Sequence, residues 1–121
     1  MYILVINPGA TSTKLAVFQE KQEEWRSTLL HSQEDLAPFH HVNEQTGYRL
    51  ELILQEVEKA GYHMADFAAV VGRGGLLRHI PSGTYKVNQR AVDDMNDPPM
   101  GEHAANLGVL ICDELTRRYG M

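Results

Sequence analysis

Residues 2–18 read YILVINPGATSTKLAVF: a nearly continuous apolar run at 2–6, a break of Asn, Pro, Gly, Ser and Thr at 7–13, and a second apolar run beginning at Lys14. Two short apolar runs joined by so brief a polar connection predict antiparallel strands at 2–6 and 14–18. A third strand is expected at 25–30, after the polar segment 19–24. Leu50, Ile53, Leu54 and Val57 then recur at offsets of three and four, which predicts an amphipathic helix over 44–60 stopped by Gly61. The run Phe67-Ala68-Ala69-Val70-Val71 lacks alternation and ends at Gly72, as a central strand buried on both faces would. Residues 76–88 contain Pro81-Ser82-Gly83 and Thr84-Tyr85-Lys86-Val87, an excursion with a hairpin. Residues 102–119 place Ala104, Leu107, Gly108, Ile111 and Leu115 on one helical face, with Arg117 and Arg118 near the end and Gly120 as the stop. Three strands, helix, strand, excursion and helix make an α/β chain, a mixed sheet with helices packed on it.

The 121 residues allow one domain with one core. Hydrophobic content of 43% and charged content of 22% are those of an ordinary globular protein. With 11 Lys and Arg against 16 Asp and Glu, and a net charge of −5, there is no basic field for nucleic acid. The apolar start is too short for a signal peptide and no run approaches the ~20 residues of a membrane span, so no membrane association and a cytoplasmic location are expected. Cys112 lies in the apolar Leu110-Ile111-Cys112 and reads as a small buried hydrophobe.

Three segments could carry chemistry. In Asn7-Pro8-Gly9-Ala10-Thr11-Ser12-Thr13-Lys14, Gly9 allows close backbone approach, Thr11, Ser12 and Thr13 supply hydroxyls, and Lys14 supplies positive charge, a set suited to a phosphate. The same residues also make a polar hairpin turn. Lys14 leads into a strand, so this is not the Gly-Lys-Ser/Thr loop that opens a helix. In Gly72-Arg73-Gly74-Gly75-Leu76-Leu77 an arginine follows the apolar strand between glycines, placed either to grip a carboxylate or phosphoryl group with two parallel hydrogen bonds or to pair with a surface acid. In Gly101-Glu102-His103-Ala104-Ala105-Asn106-Leu107-Gly108 a small-residue helix start presents His103 and Asn106, for an anionic ligand or for capping and close packing.

Taken together and in this order, the three segments resemble butyrate kinases and the related branched-chain fatty acid kinases, of the acetokinase family in the sugar kinase and actin superfamily. Acetate kinases share the plan but have His-Arg at the arginine and His-Asn-Pro-Ala-Asn where this chain has His103-Ala104-Ala105-Asn106. His31-Ser32, Phe39, Gln45 and Arg49 also agree with the butyrate branch, so the resemblance covers essentially the whole chain. It implies a ribonuclease H-like mixed sheet and residues 1–121 as the N-terminal lobe only. It also implies reversible transfer of the ATP γ-phosphoryl group to a short-chain carboxylate, with Mg2+. By the match, Asn7 and Lys14 lie near the transferring phosphoryl and its metal, Asn7 being the implied metal contact. Gly9, Thr11, Ser12 and Thr13 complete the ATP phosphate turn, Arg73 is the carboxylate and phosphoryl clamp, and His103 lies near the transferred group. Position 10 is usually serine in this motif and is Ala10 here. Family enzymes continue into a strand with a catalytic aspartate, a second phosphate motif, another arginine and an adenosine-binding lobe. Without these, the chain is expected to be inactive alone and to self-associate through the edge of 67–71 or the helix face beside it. A non-catalytic phosphate-binding or interaction domain, or an acetate or sugar kinase, are the rival readings.

The remaining polar residues read as structural. His40-His41 lacks the separation of metal ligands and is expected in a surface loop. Asp93, Asp94 and Asp97 resemble a solvated helix end, and Trp25 strand packing.

Overall fold

The computed structural model describes residues 1–73, 86–96 and 103–121. The three expected strands form a meander of β1 (Tyr2–Pro8), β2 (Ser12–Gln19) and β3 (Gln22–Leu30). Glu20, with φ at 55°, turns the chain between the last two. A short helix α1 (Gln33–Leu36) follows, capped by the Ser32 hydroxyl accepting from the Asp35 amide. A 3-10 turn (Val42–Gln45) leads into α2 (Thr46–Lys59), so the helix expected at 44–60 begins in that turn. Here the Glu44 carboxylate accepts from the amides of His40 and His41, which gives this histidine pair a capping role.

The strand β4 (Phe67–Gly72) pairs parallel to β1, and the sheet order is β3-β2-β1-β4. Among the described residues β1 and β2 are therefore the inner strands and β4 an edge, with Val71 at 42% exposure rather than buried on both faces. The register explains the unalternating run: Tyr2 opposes Phe67 but Ile3 opposes Ala69, so Ala68 is an extra, exposed residue that shifts the alternation. Helices α3 (Gln89–Asn96) and α4 (Leu107–Tyr119) complete the described chain, α4 after a 3-10 turn (Ala104–Asn106) and ended by Gly120 at φ 70°. The excursion expected at 76–88 lies outside the described residues up to position 85, and Lys86 and Val87 are in no strand.

One face of the sheet is covered. Leu4, Ile6, Leu15 and Val17 from the strands meet Leu50, Ile53 and Val57 of α2, Met95 of α3 and Leu107, Ile111 and Leu115 of α4 in a single core. The alternate residues of β1 and β2, including Asn7 and Lys14, fall on the other face by the period of two. Trp25 packs beside Tyr62, their rings 6.0 Å apart, as strand packing requires. Cys112 is buried in α4, and burial pushes its thiol up to about 12. Asp94 corrects an expectation: it is buried at 7% exposure, because α3 turns it inward beside Met95, rather than solvated. Asp97 lies outside the described residues. Among the described residues no helix is long and apolar enough to cross a membrane.

α4 meets β4 at unusually close range. A Cβ on Gly108 would lie 2.3 Å from the Arg73 carbonyl oxygen, and one on Gly72 would lie 2.8 Å from the Gly108 carbonyl oxygen and 2.9 Å from Cys112 Sγ. Two glycines in register let the helix rest directly on the strand's end.

Candidate functional site

The parallel pairing of β1 with β4 brings the ends of both strands together. Ile6 opposes Gly72, and the Arg73 amide donates to the Ile6 carbonyl at 3.1 Å. On the other side of β1, Asn7 directly opposes Lys14 of β2. Asn7, Lys14 and Arg73 thus converge on one end of the sheet, and Lys14 and Arg73 are exposed. His103 precedes the 3-10 turn that packs against β1, while Gly108 touches Arg73. Its Nδ1 accepts from the Ala105 amide at 3.0 Å, so the structure shows it as a cap. Gly74 to Leu77, Gly101 and Glu102 lie outside the described residues.

Between β1 and β2 the turn closes through the Gly9 amide donating to the Ser12 carbonyl at 2.7 Å. A side chain at Gly9 would come within 3.2 Å of Ser12 Oγ, so the glycine relieves crowding there. Ala10 and Thr11 are exposed, Ser12 is half-buried and Thr13 is fully buried. The inner side of this turn is held by a residue outside the three candidate segments. Arg49 of α2, with no exposed surface, donates to the carbonyls of Gly9 (2.8 Å), Ser12 (3.0 Å) and Ala10 (3.2 Å) and to Thr13 Oγ1 (3.2 Å). Gln45, one helical turn earlier, accepts from its Nε and Nη2 at 3.0 and 2.8 Å. Burial lowers the Arg49 pKa, with Tyr48 opposing, but a guanidinium remains charged. A signal for it existed: Arg49 stands four residues before Ile53, inside the apolar stripe of α2, where a cation needs buried acceptors. Because residue 10 meets Arg49 through its carbonyl, alanine there leaves this side of the turn intact.

The network continues inward. Thr13 Oγ1 is 2.8 Å from His31 Nε2, His31 Nδ1 is 3.2 Å from the Tyr48 hydroxyl, and Phe39 packs on Tyr48. Burial lowers the His31 pKa below the ordinary 6.5, the Arg49 charge adds to this, and Asp35 opposes it. The unfolded chain therefore binds more protons here than the folded one, and His31 costs stability as pH falls from 6.5 toward its depressed folded value. Urea denaturation between pH 7.5 and 5 should show this loss, and His31→Gln should flatten the pH dependence in that window. An unchanged slope in the variant would remove His31 as its source.

Among the described residues no three His, Cys, Asp or Glu side chains gather as a metal site. Among them Lys14, Arg49 and Arg73 have no carboxylate ion pair, as is true also of Lys21, Lys59, Lys86 and Arg90, while Arg26, Arg117 and Arg118 are paired.

No protein-family model matches the chain. It is 46% identical over 117 residues to a probable butyrate kinase of Phocaeicola vulgatus, a match covering 97% of this chain and 32% of that protein. A probable butyrate kinase of Listeria monocytogenes is 43% identical over 118 residues, 94% of this chain and 33% of that protein. Butyrate kinase 2 of Clostridium acetobutylicum is 41% identical over 119 residues, 98% and 33% of the two chains. The 121 residues are thus related in sequence to butyrate kinases along nearly their whole length, and they span about a third of the length of the curated relatives they match.

Proposed function

We infer that this chain supplies the phosphoryl-binding part of a butyrate kinase-type carboxylate kinase of the acetokinase family, using ATP and a short-chain carboxylate. The observation that carries the reading is the convergence of Lys14, Arg49 and Arg73 on one end of the sheet, around a turn rich in hydroxyls and amides, in a chain of net charge −5. Three cations gathered at one end of the sheet favour an anionic ligand. The turn, Asn7 and Lys14 receive the γ-phosphoryl group, and Arg73 holds the acceptor carboxylate. A carboxylate oxygen then attacks phosphorus as the bond to ADP breaks, giving an acyl phosphate. Asn7 would offer a carboxamide oxygen toward Mg2+, which would supply charge neutralisation of the phosphates when bound. In-line transfer needs both ends of the nucleotide oriented, so the 121 residues by themselves should bind phosphate without ordinary turnover.

An NMR titration of the chain with inorganic triphosphate and with ATP tests this. Amides of residues 9–14 and Arg73 should shift, and Lys14→Ala should weaken binding about tenfold, the loss of one charge-assisted hydrogen bond. Absence of shifts in the turn, or binding indifferent to Lys14→Ala, would overturn the reading.

A further inference from the structure

We propose that Arg49 is the positioning residue of the phosphate turn: from beneath the sheet it orders residues 9–13 so that their carbonyls face inward and their free donors face an anion outside. This rests on reading the turn as a phosphoryl cradle, and the argument is geometric. The guanidinium reaches four oxygens of the turn, the carbonyls of Gly9, Ala10 and Ser12 and the Thr13 hydroxyl, at 2.8 to 3.2 Å. Thr11, the remaining residue, is held by its carbonyl, which accepts from the His31 amide at 2.8 Å. Every residue of the turn is therefore fixed by an oxygen. Carbonyl oxygens repel phosphate oxygens, so a turn that binds phosphate must direct them elsewhere, and here a buried cation does so. Among the described residues the amides of Ala10 and Thr11 have no acceptor within the protein, and both residues are exposed. They are the donors left for a ligand, as in other anion-binding turns.

Charge and shape act together. Arg49 is fully buried, so its field is screened less than that of Lys14 or Arg73 on the surface. The planar fork matters as well, since one face of it meets the turn while Gln45 fixes the Nε side at 3.0 Å. A lysine would keep the charge but could not span the same four oxygens. Arg49 touches no ligand in this scheme; it acts through the turn.

The test uses the 121-residue chain, comparing wild type with Arg49→Lys in two measurements. Hydrogen exchange at the Gly9 and His31 amides, whose acceptors are turn carbonyls, reports the order of the turn, with Leu4 and Val17 amides as the reference for global stability. NMR titration with inorganic triphosphate reports the cradle. In Arg49→Lys the Gly9 and His31 amides should exchange about tenfold faster relative to the reference, and triphosphate affinity should fall about tenfold although the net charge is kept. Exchange and affinity both within about twofold of wild type would overturn the proposal. If triphosphate moves no turn amide even in the wild type, the phosphoryl reading itself falls; faster exchange in Arg49→Lys then still supports the clamp, and unchanged exchange overturns it. Should Arg49→Lys fail to fold, Gln45→Ala, which frees one side of the guanidinium, should show the same pattern at about threefold, and no change there overturns the proposal.

Discussion

Gly108→Ala should destabilise the protein by about 3 kcal/mol, the upper end of the cost of overpacking, although alanine is the better helix former by about 1 kcal/mol. The added methyl would lie 2.3 Å from the carbonyl oxygen of Arg73, and its neighbours are backbone that cannot swing away like a flexible side chain. Relief requires α4 to lift from β4, which loosens Leu107, Ile111 and Leu115 in the core. Gly72→Ala should cost less, since its new methyl meets backbone, the Gly108 carbonyl oxygen, at 2.8 Å rather than 2.3 Å, and its other close contact, Cys112 Sγ at 2.9 Å, can yield. Urea denaturation checks both. A Gly108→Ala protein within about 0.5 kcal/mol of wild type, the range of neutral surface changes, would show that the helix and strand are not in the close contact described.

Arg49→Met should cost about 3 kcal/mol for a different reason: it removes a donor set rather than adding bulk. Methionine fills much of the same volume, so little cavity forms. What remains are the inward carbonyls of Gly9 and Ala10 and the Gln45 amide oxygen, deprived of the guanidinium, while the Ser12 carbonyl keeps only the Gly9 amide. The two carbonyls can turn toward water only if the turn rearranges, and buried acceptors left unmade cost about 1–3 kcal/mol each before such relaxation. Equilibrium unfolding at pH 7.5, where His31 is largely neutral in both states, isolates this effect. A loss below about 1 kcal/mol would mean that the turn is held by its strands alone.

Much of this architecture was legible in the residues. Apolar runs separated by seven or fewer polar residues mark the meander, and the stripe of Leu50, Ile53 and Val57 marks the crossover helix. Three candidate segments were legible, and strand pairing brings the first two together: Asn7 faces Lys14 across one ladder and Ile6 holds Arg73 through the other. Other features depend on tertiary context. Phe67-Ala68-Ala69-Val70-Val71 looks fully buried because alanine is apolar by composition, yet it is small enough to stand exposed on an edge, and the bulge at Ala68 erases the alternation. Helix α3 buries only Val92 and Met95 beside Asp94, with the small Ala91 packed at the margin of the core, too short a stripe to declare a helix amid acidic residues. Arg49 is hard to read as a structural centre because most of its turn partners are backbone oxygens 37 to 40 positions away, and backbone acceptors leave no trace in a sequence.

The cap at the start of the last helix settles where the hydrogen on His103 resides. A nitrogen that accepts from the Ala105 amide has its lone pair engaged, so in the neutral ring the hydrogen belongs to Nε2. The imidazole then offers its surroundings a donor and no acceptor. Drawing a proton from a ligand would require giving up Nδ1 as the amide's partner. His103 is accordingly suited to steady an oxygen that gains negative charge, and poorly suited to act as a base.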